Sequence, residues 1–482
     1  MNRAGGRLAV LAVAAAVLLV AAPAVANDTA VNGIGGSLTP MTSTEIRMTA
    51  ETIQAHVYNG YAEFQVDFEF ENSGPPQTLQ LGFPFRLRSG EELENDSPGG
   101  APVAGFMAWQ DGVLLDVTFE DGADSTGDPV GYFVHEVTFA PGTTMVRVRY
   151  LADASADTGW PGPELQRPEW ASGMQGGGHV WYPYWVHTGA GWAGTIGATV
   201  ARFTVADDFV GWGMDEALAD DGAAPYSKPD AQSYEWVMSD YEPTLDDDLV
   251  FDFYESVGEG DVGQWPAELG RRFLADLSAS SELVLGEYSY PAFSMFGGVS
   301  TAWAEAVPGS GTGEWAKAVF GAPREVNEVR ILPGYAKRSD LFYKYNRPKI
   351  VTLTFSDGTQ TTVTLADEPS LQRFPVRTTT EWVRVTIDEV YRGTTRDETY
   401  ISLVDVGAES PEYLSFDTLL AEAVGAPSEE STLAEEPTAS TETTAPAESD
   451  RSVSGALLAA LAAGIGFILV VAWLLLKRAK NA

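Results

Sequence analysis

A mainly β fold is expected for this 482-residue chain. Apolar and polar residues alternate with period two in several runs, and turn residues separate those runs. Tyr61 to Glu71 is the clearest run: Ala62, Phe64, Val66, Phe68 and Phe70 fall on one face, and Glu63, Gln65, Asp67, Glu69 and Glu71 on the other. Such a strand is half-buried and antiparallel, and its carboxylate row reads as a solvated face rather than a metal array. Phe133–Phe139, Val146–Tyr150 and Leu249–Tyr254 alternate likewise, with Ala140-Pro141-Gly142 as a turn and Asp111-Gly112 as a tight hairpin. Helical spacing is found at Ala267 to Leu277, where Leu269, Phe273 and Leu277 recur every four residues. It reads as a partly helical linker, 266–282, between two β domains.

Composition bounds the function. With 68 Asp+Glu against 29 Lys+Arg, the formal charge is −39, so a nucleic acid would be repelled. Cysteine is absent, which removes thiol catalysis and thiolate metal sites and leaves core burial as the source of stability. No GxSxG, HExxH, GxxxxGK[ST] or EF-hand spacing occurs, and Gly309 to Glu314 departs from the GxGxxG order. The chain reads as a non-enzyme without cofactor or metal.

The two ends read as export and anchoring. Arg3 and Arg7 precede an apolar run that closes at Ala24-Val25-Ala26, a signal peptide over 1–26. Residues 453–476 are uncharged and long enough to span a bilayer, and Lys477, Arg478 and Lys480 follow in the tail 477–482. A single-pass protein of the cell membrane is expected, its ectodomain outside. Residues 411–452, rich in Ser, Thr, Glu and Pro, read as a disordered stalk because ordering them would bury too little apolar surface.

Between linker and stalk, residues 283–410 carry strands at Val329–Leu332, Ile350–Phe355, Gln360–Leu365 and Trp382–Ile387, with Asp357-Gly358 closing a hairpin. Trp303, Gly313-Glu314-Trp315, Gly334-Tyr335-x-Lys337, Asn346-Arg347-Pro348-Lys349, Val390-Tyr391-x-Gly393 and Asp397-x-Thr399-x-Ile401-Ser402 punctuate this region. It resembles the discoidin-type, galactose-binding-like β-sandwich attached to bacterial NAD glycohydrolases. That resemblance implies glycan binding and translocation, without the catalytic domain. On it, Tyr335, Lys337, Asn346, Arg347, Tyr391, Arg396 and Asp397 are the candidate glycan-binding residues, at strand ends and in loops. Trp303, Glu314 and Trp315 are expected to shape the site, the two tryptophans as core. Sugars need aromatic faces for their C–H side and planar polar groups for pairs of hydroxyls, and this set offers both. A turn-fixing role for Asn346, Arg347 and Asp397 stays open beside it. Modules of this kind often end Ile-Ser-Glu, whose carboxylate helps hold calcium. Here Leu403 follows Ile401-Ser402, and Asp405 keeps only the alternation parity, so calcium is not expected.

Residues 27–265 read as one β-rich domain. Ile46-x-Met48-x-x-Glu51-x-Ile53, the 64–72 alternation leading to Gly82-Phe83-Pro84, and Thr188-Gly189-Ala190-Gly191-Trp192 resemble an uncharacterised group of exported bacterial β domains. That resemblance implies no activity. Its His179–Trp192 stretch holds five aromatic rings and two of the chain's four histidines. As a strand it puts His179, Trp181, Pro183, Trp185 and His187 on one face, with the histidines ~26 Å apart and unable to share a metal. The stretch reads as core with Pro183 at an edge or bulge, rather than as a sugar platform. The leading expectation is thus a membrane-anchored glycan binder whose partners are a glycan and the bilayer. The alternatives are a hydrolase housed in the first domain and a protein-binding scaffold.

Overall fold

A computed structural model describes residues 36–425, except 43, 87–102, 124–128, 158–177, 216–217, 219–224, 256–272, 287 and 297. The signal peptide, most of the stalk, the 453–476 segment and the basic tail lie outside the described residues. Among the described residues no helix is long and apolar enough to cross a membrane.

Alternation places the first domain's strands as expected. Its principal sheet runs Ser233–Tyr241, Ile196–Val205, Arg47–Val57, Tyr61–Asn72, Gly142–Asp153, Val103–Gln110, Val113–Leu114. All its pairs are antiparallel except Arg47–Val57 with Ile196–Val205. Two smaller sheets complete the domain. One orders Thr39–Pro40, Gln77–Arg86, Pro129–Phe139 and Thr118–Ala123; the other orders Ser155–Asp157, Gly178–Tyr184 and Leu249–Glu255. A single core draws on all three sheets, with Phe64, Phe83, Phe203 and Phe251 fully buried in it. The Asp111-Gly112 turn has positive φ at both residues, 50° and 81°, the twist a two-residue hairpin requires.

The aromatic stretch splits its roles by parity. Val180, Tyr182, Tyr184 and Val186 are fully buried, while His179, Trp181, Trp185 and His187 are half-buried. The strand ends at Tyr184 and a 3-10 turn, Val186–Gly191, follows. Pro183 lies beyond the three residues that pair with Ser155–Asp157, so no ladder bond is lost on that side. His179 Nε2 lies 3.1 Å from Asp252 and His187 Nδ1 2.6 Å from Asp248, so each histidine has its own carboxylate. Asp248 also accepts from the His187 amide at 3.0 Å, which fixes it against that ring.

In the second domain the order is Trp303–Ala304, Tyr400–Gly407, Trp315–Pro333, Gln372–Tyr391, Arg347–Phe355, Gln360–Thr364. Residues Leu274–Ala279 also pair with Trp315–Pro333. They overturn the helical linker over that part of it: Leu277 sits opposite Ala318 and Ala279 opposite Ala316, so the backbone completes an otherwise open edge. Ala316 and Ile331, from opposite ends of the 19-residue strand, enter one core. Bulges at Val319/Arg324 and Val326/Glu328 supply the bend.

The two domains are parts of one compact unit that runs to Ala426. A shared apolar cluster joins Tyr58, Tyr61, Ala104 and Leu151 to Leu332, Ala336, Phe342, Leu371 and Leu403. Tyr61 Oη donates to Asp405 at 2.9 Å, and fully buried Arg330 donates to the same carboxylate at 2.8 Å while lying 4.4 Å over the Tyr58 ring. Burial alone would raise the Asp405 carboxyl; Arg330 and Tyr61 outweigh it and hold the carboxyl below its usual range. Asp153 accepts from the Val299 amide at 2.6 Å, and Arg373 pairs with Glu63.

The expected solvated carboxylate row is corrected over its first three members, whereas Glu69 is half-buried and Glu71 exposed. Glu63, Gln65 and Asp67 are buried, because Arg147, Arg149 and Arg373 reach them and residues 413–422 cross the same face. Gln54 exchanges two hydrogen bonds with Leu414, at 2.8 and 2.9 Å, and the Tyr413 ring stacks on His56 at 3.9 Å. The helix Phe416–Gly425 follows, tied by Glu422 to Arg202 at 3.1 Å. Residues 411–425, expected in the stalk, thus belong to the folded body: their hydrogen bonds and buried Leu419 offset the ordering entropy that composition alone weighs.

Candidate functional site

Seven loop residues were candidates for ligand contact, and the structure divides them by burial. Tyr335 is fully buried; its ring stacks on Tyr400 at 5.3 Å, in a cluster with Tyr290 and Tyr345. Lys337 is buried at 2% exposure, next to the Ala336 that seals the domain interface. Asn346 is buried too: its Oδ1 accepts from the Gly393 amide at 2.8 Å and its Nδ2 donates to the Asp397 carbonyl. The turn-fixing alternative describes Asn346, which ties the 392–399 loop to the start of the Arg347–Phe355 strand. These three are not available to a ligand. The loops do converge, but through packing rather than around an opening.

Arg347 is the hub of what reaches the surface. Its Nε and Nη2 donate to the two oxygens of Asp367 at 2.6 and 2.9 Å, and Nη1 donates to the carbonyl of Tyr345 at 3.0 Å. The bidentate pair leaves the guanidinium no free edge, so Arg347 holds Asp367 and does not itself meet a ligand. Around it lie the rings of Tyr343 at 5.3 Å and Tyr391 at 6.0 Å. Tyr391 is half-buried, with its hydroxyl donating to the Leu365 carbonyl at 2.9 Å. Tyr343 projects from the short helix Ser339–Lys344 and is 43% exposed, whereas its neighbour Phe342 is fully buried. Partial burial and the Asp367 charge push the Tyr343 phenol up, so it stays a neutral donor and acceptor. Exposed Arg392 and Asp397 pair loosely at 3.4 Å on the rim, and Arg396 is exposed beside Glu398.

Tyr343 and Asp367 are the residues sequence reasoning missed. A six-residue helix leaves too short an apolar period to tell that Phe342 turns inward and Tyr343 outward. The Arg347–Asp367 pair joins residues from different loops and leaves no local spacing to read.

Trp303, Glu314 and Trp315 stand in a separate knot. Trp303 is fully buried and its Nε1 donates to the Ser281 carbonyl at 3.0 Å. Glu314 accepts from Ser280 and Ser281, each at 2.6 Å, and half-buried Trp315 lies under Arg384 at 5.9 Å. Among the described residues no group of three His, Asp or Glu is arranged to hold a metal.

A surface corner built on a bulged β-sandwich, with the Trp303 and Gly313-Glu314-Trp315 signature in its framework, has a recognisable parentage. Residues 270–407 match the NAD glycohydrolase translocation F5/8 type C domain. The match takes in the 274–279 strand that sequence reasoning left outside the module. Similar solved structures include the family 32 carbohydrate-binding module of C. perfringens NanJ in complex with galactose (19% identity, 27% of this chain, 91% of that chain, TM-score 0.22). The family 32 module of Streptococcus pneumoniae EndoD is another (13% identity, 28% and 99% of the two chains, TM-score 0.24). So is chitosan-binding module 1 of a Paenibacillus sp. IK-5 chitosanase/glucanase (21% identity, 27% and 92%, TM-score 0.21). No curated protein matches the chain. Within the F5/8 type C module, then, the Tyr343–Asp367–Tyr391 corner is where an aromatic face and a fixed carboxylate meet solvent together.

Proposed function

We propose that this chain is an exported, membrane-anchored surface protein whose F5/8 type C module binds glycan at the Tyr343–Asp367–Tyr391 corner. The observation that carries the reading is the 43% exposed Tyr343 ring beside a carboxylate that Arg347 holds in one orientation. A sugar ring stacked on Tyr343 would direct hydroxyls to the outer lone pairs of Asp367, with Arg392 as donor from the rim. Binding by a preset carboxylate avoids the cost of ordering it at association. The family match at 270–407 supports a binding role for the module, and the basic residues after 453–476 support an outside placement of the body.

The test is a glycan panel against the folded chain and its Tyr343→Ala variant. Loss of one aromatic anchor is expected to weaken binding about tenfold or more while the fold is kept. Equal binding by Tyr343→Ala and by Asp367→Asn would refute this placement of the site.

A further inference from the structure

The first domain carries a groove of its own. A groove of about 470 Å³ lies on the outer face of its principal sheet, within the ~300–1,000 Å³ range of small-molecule sites. Strand register builds its floor: Asp67, Arg147 and Trp109 sit opposite one another on three adjacent strands, and their side chains share a face by parity. Beside the half-buried Trp109 of the floor, one wall is the Asp111-Gly112 turn, and the other is Phe416 from the C-terminal helix. The groove therefore exists only because residues 413–422 return across this sheet.

Its charges are balanced. Arg147 Nε donates to Asp67 Oδ1 at 2.6 Å, and Arg149 donates to Gln65 at 2.9 Å while lying 5.2 Å over Tyr413. The Nη atoms of Arg147 have no partner among the described residues, and its side chain is 40% exposed. Asp111 is exposed at the rim with its Oδ1 accepting the Met145 amide at 3.0 Å. Two carboxylates and two guanidiniums line one space, flanked by an indole and a phenyl ring.

We infer that this groove is a saccharide site that takes an uncharged sugar ring, independent of the F5/8 type C module. The ring's C–H face packs against Trp109, and vicinal hydroxyls accept from the planar Nη edge of Arg147 and donate to Asp111. A carboxylated sugar gains nothing from a lining whose charges cancel in a chain of net charge −39. The chain is then bivalent, with one sugar site in each domain of a single compact unit.

Calorimetry on the full chain tests this, with galactose, lactose and N-acetylglucosamine tetramer as neutral probes and galacturonic acid as the charged control. Trp109→Ala and Arg147→Lys are each expected to weaken one neutral-probe binding event about tenfold, leaving a second unchanged. Arg147→Lys keeps the charge opposite buried Asp67 and removes the planar donor, so it decides the matter alone if Trp109→Ala does not fold. Tyr343→Ala should spare the event that these variants weaken. No neutral probe bound, no effect of either groove variant, or binding at the groove by galacturonic acid alone would each overturn the inference. Loss of all binding in Tyr343→Ala would overturn it while leaving the module reading intact. Loss of none in Tyr343→Ala, with loss in Trp109→Ala, would do the opposite.

Discussion

Glu51 sets a stability term that runs against ordinary acid denaturation. Its side chain is fully buried in the first domain, where Ser37 Oγ and Tyr184 Oη both donate to Oε1 at 2.7 Å and Oε2 has no hydrogen-bond partner among the described residues. Burial is the largest influence and the hydroxyls of Ser37, Tyr184 and Thr199 only partly counter it, so the carboxyl is pushed up from 4.5 to about 7. The folded state thus holds a proton that the unfolded chain releases above its ordinary value. Stability from this group is fully present below pH 4.5 and is lost as pH rises through about 7. A displacement of about 2.5 pH units at about 1.4 kcal/mol each makes the contribution about 3 kcal/mol. Glu51→Gln keeps an acceptor for Ser37 and Tyr184 and cannot titrate. Urea unfolding of wild type and variant from pH 4 to 8 should show their free-energy difference shifting by about 3 kcal/mol in favour of the variant as pH rises. A difference that stays flat over that window would refute the claim that Glu51 is protonated in the fold.

Other outcomes follow from the same geometry. Burial, then the Arg373 and Arg149 charges, pull His56 down from 6.5 to about 3, so its stability is full above pH 6.5 and lost as pH falls toward 3. His56→Gln should recover about 2 kcal/mol between pH 6.5 and 4.5, read from unfolding midpoints against wild type. Asp405→Asn leaves Arg330 buried with its closest carboxylate gone and should destabilise by roughly 3–5 kcal/mol, with limited proteolysis reporting separation of the domains. Trp181→Ala with Trp185→Ala should lower the unfolding midpoint without altering sugar affinity, since both rings are half-buried beside histidines rather than free at a surface.

Period-two alternation made most of the fold legible, because strands such as Gly142–Asp153 bury alternate residues and so show their core face in the sequence. The same reasoning failed where the opposite face is covered by distant chain. Glu63, Gln65 and Asp67 look solvated from their own strand, and among the described residues it is Arg147, Arg149, Arg373 and Tyr413, eighty to three hundred and fifty residues away along the chain, that cover them. Leu274–Ala279 failed for a related reason: a short apolar run satisfies helical and strand periods alike, and the open edge of Trp315–Pro333 decides between them. At the candidate site, aromatic and planar residue types pointed to the right loops. They did not separate Tyr335, stacked on Tyr400, from Tyr343, which reaches solvent.

Asp405 shows why a resemblance must be read residue by residue. Its place in the terminal strand invites comparison with a metal-holding carboxylate, yet its partners here are protein: Arg330 of its own sandwich and Tyr61 of the first domain donate to Oδ2, and the Val406 amide donates to Oδ1. A carboxylate committed to a buried arginine and a buried phenol is held below its usual range by them and has little left to offer a cation. The same contact sits among Tyr58, Leu332, Ala336 and Phe342, and Phe342 is the residue whose burial turns Tyr343 outward. The domain interface and the candidate sugar corner are therefore opposite sides of one short helix. Loosening the Asp405 latch should reach the corner through Phe342: Asp405→Asn is expected to weaken glycan binding that Tyr343 provides, even under conditions where the module stays folded.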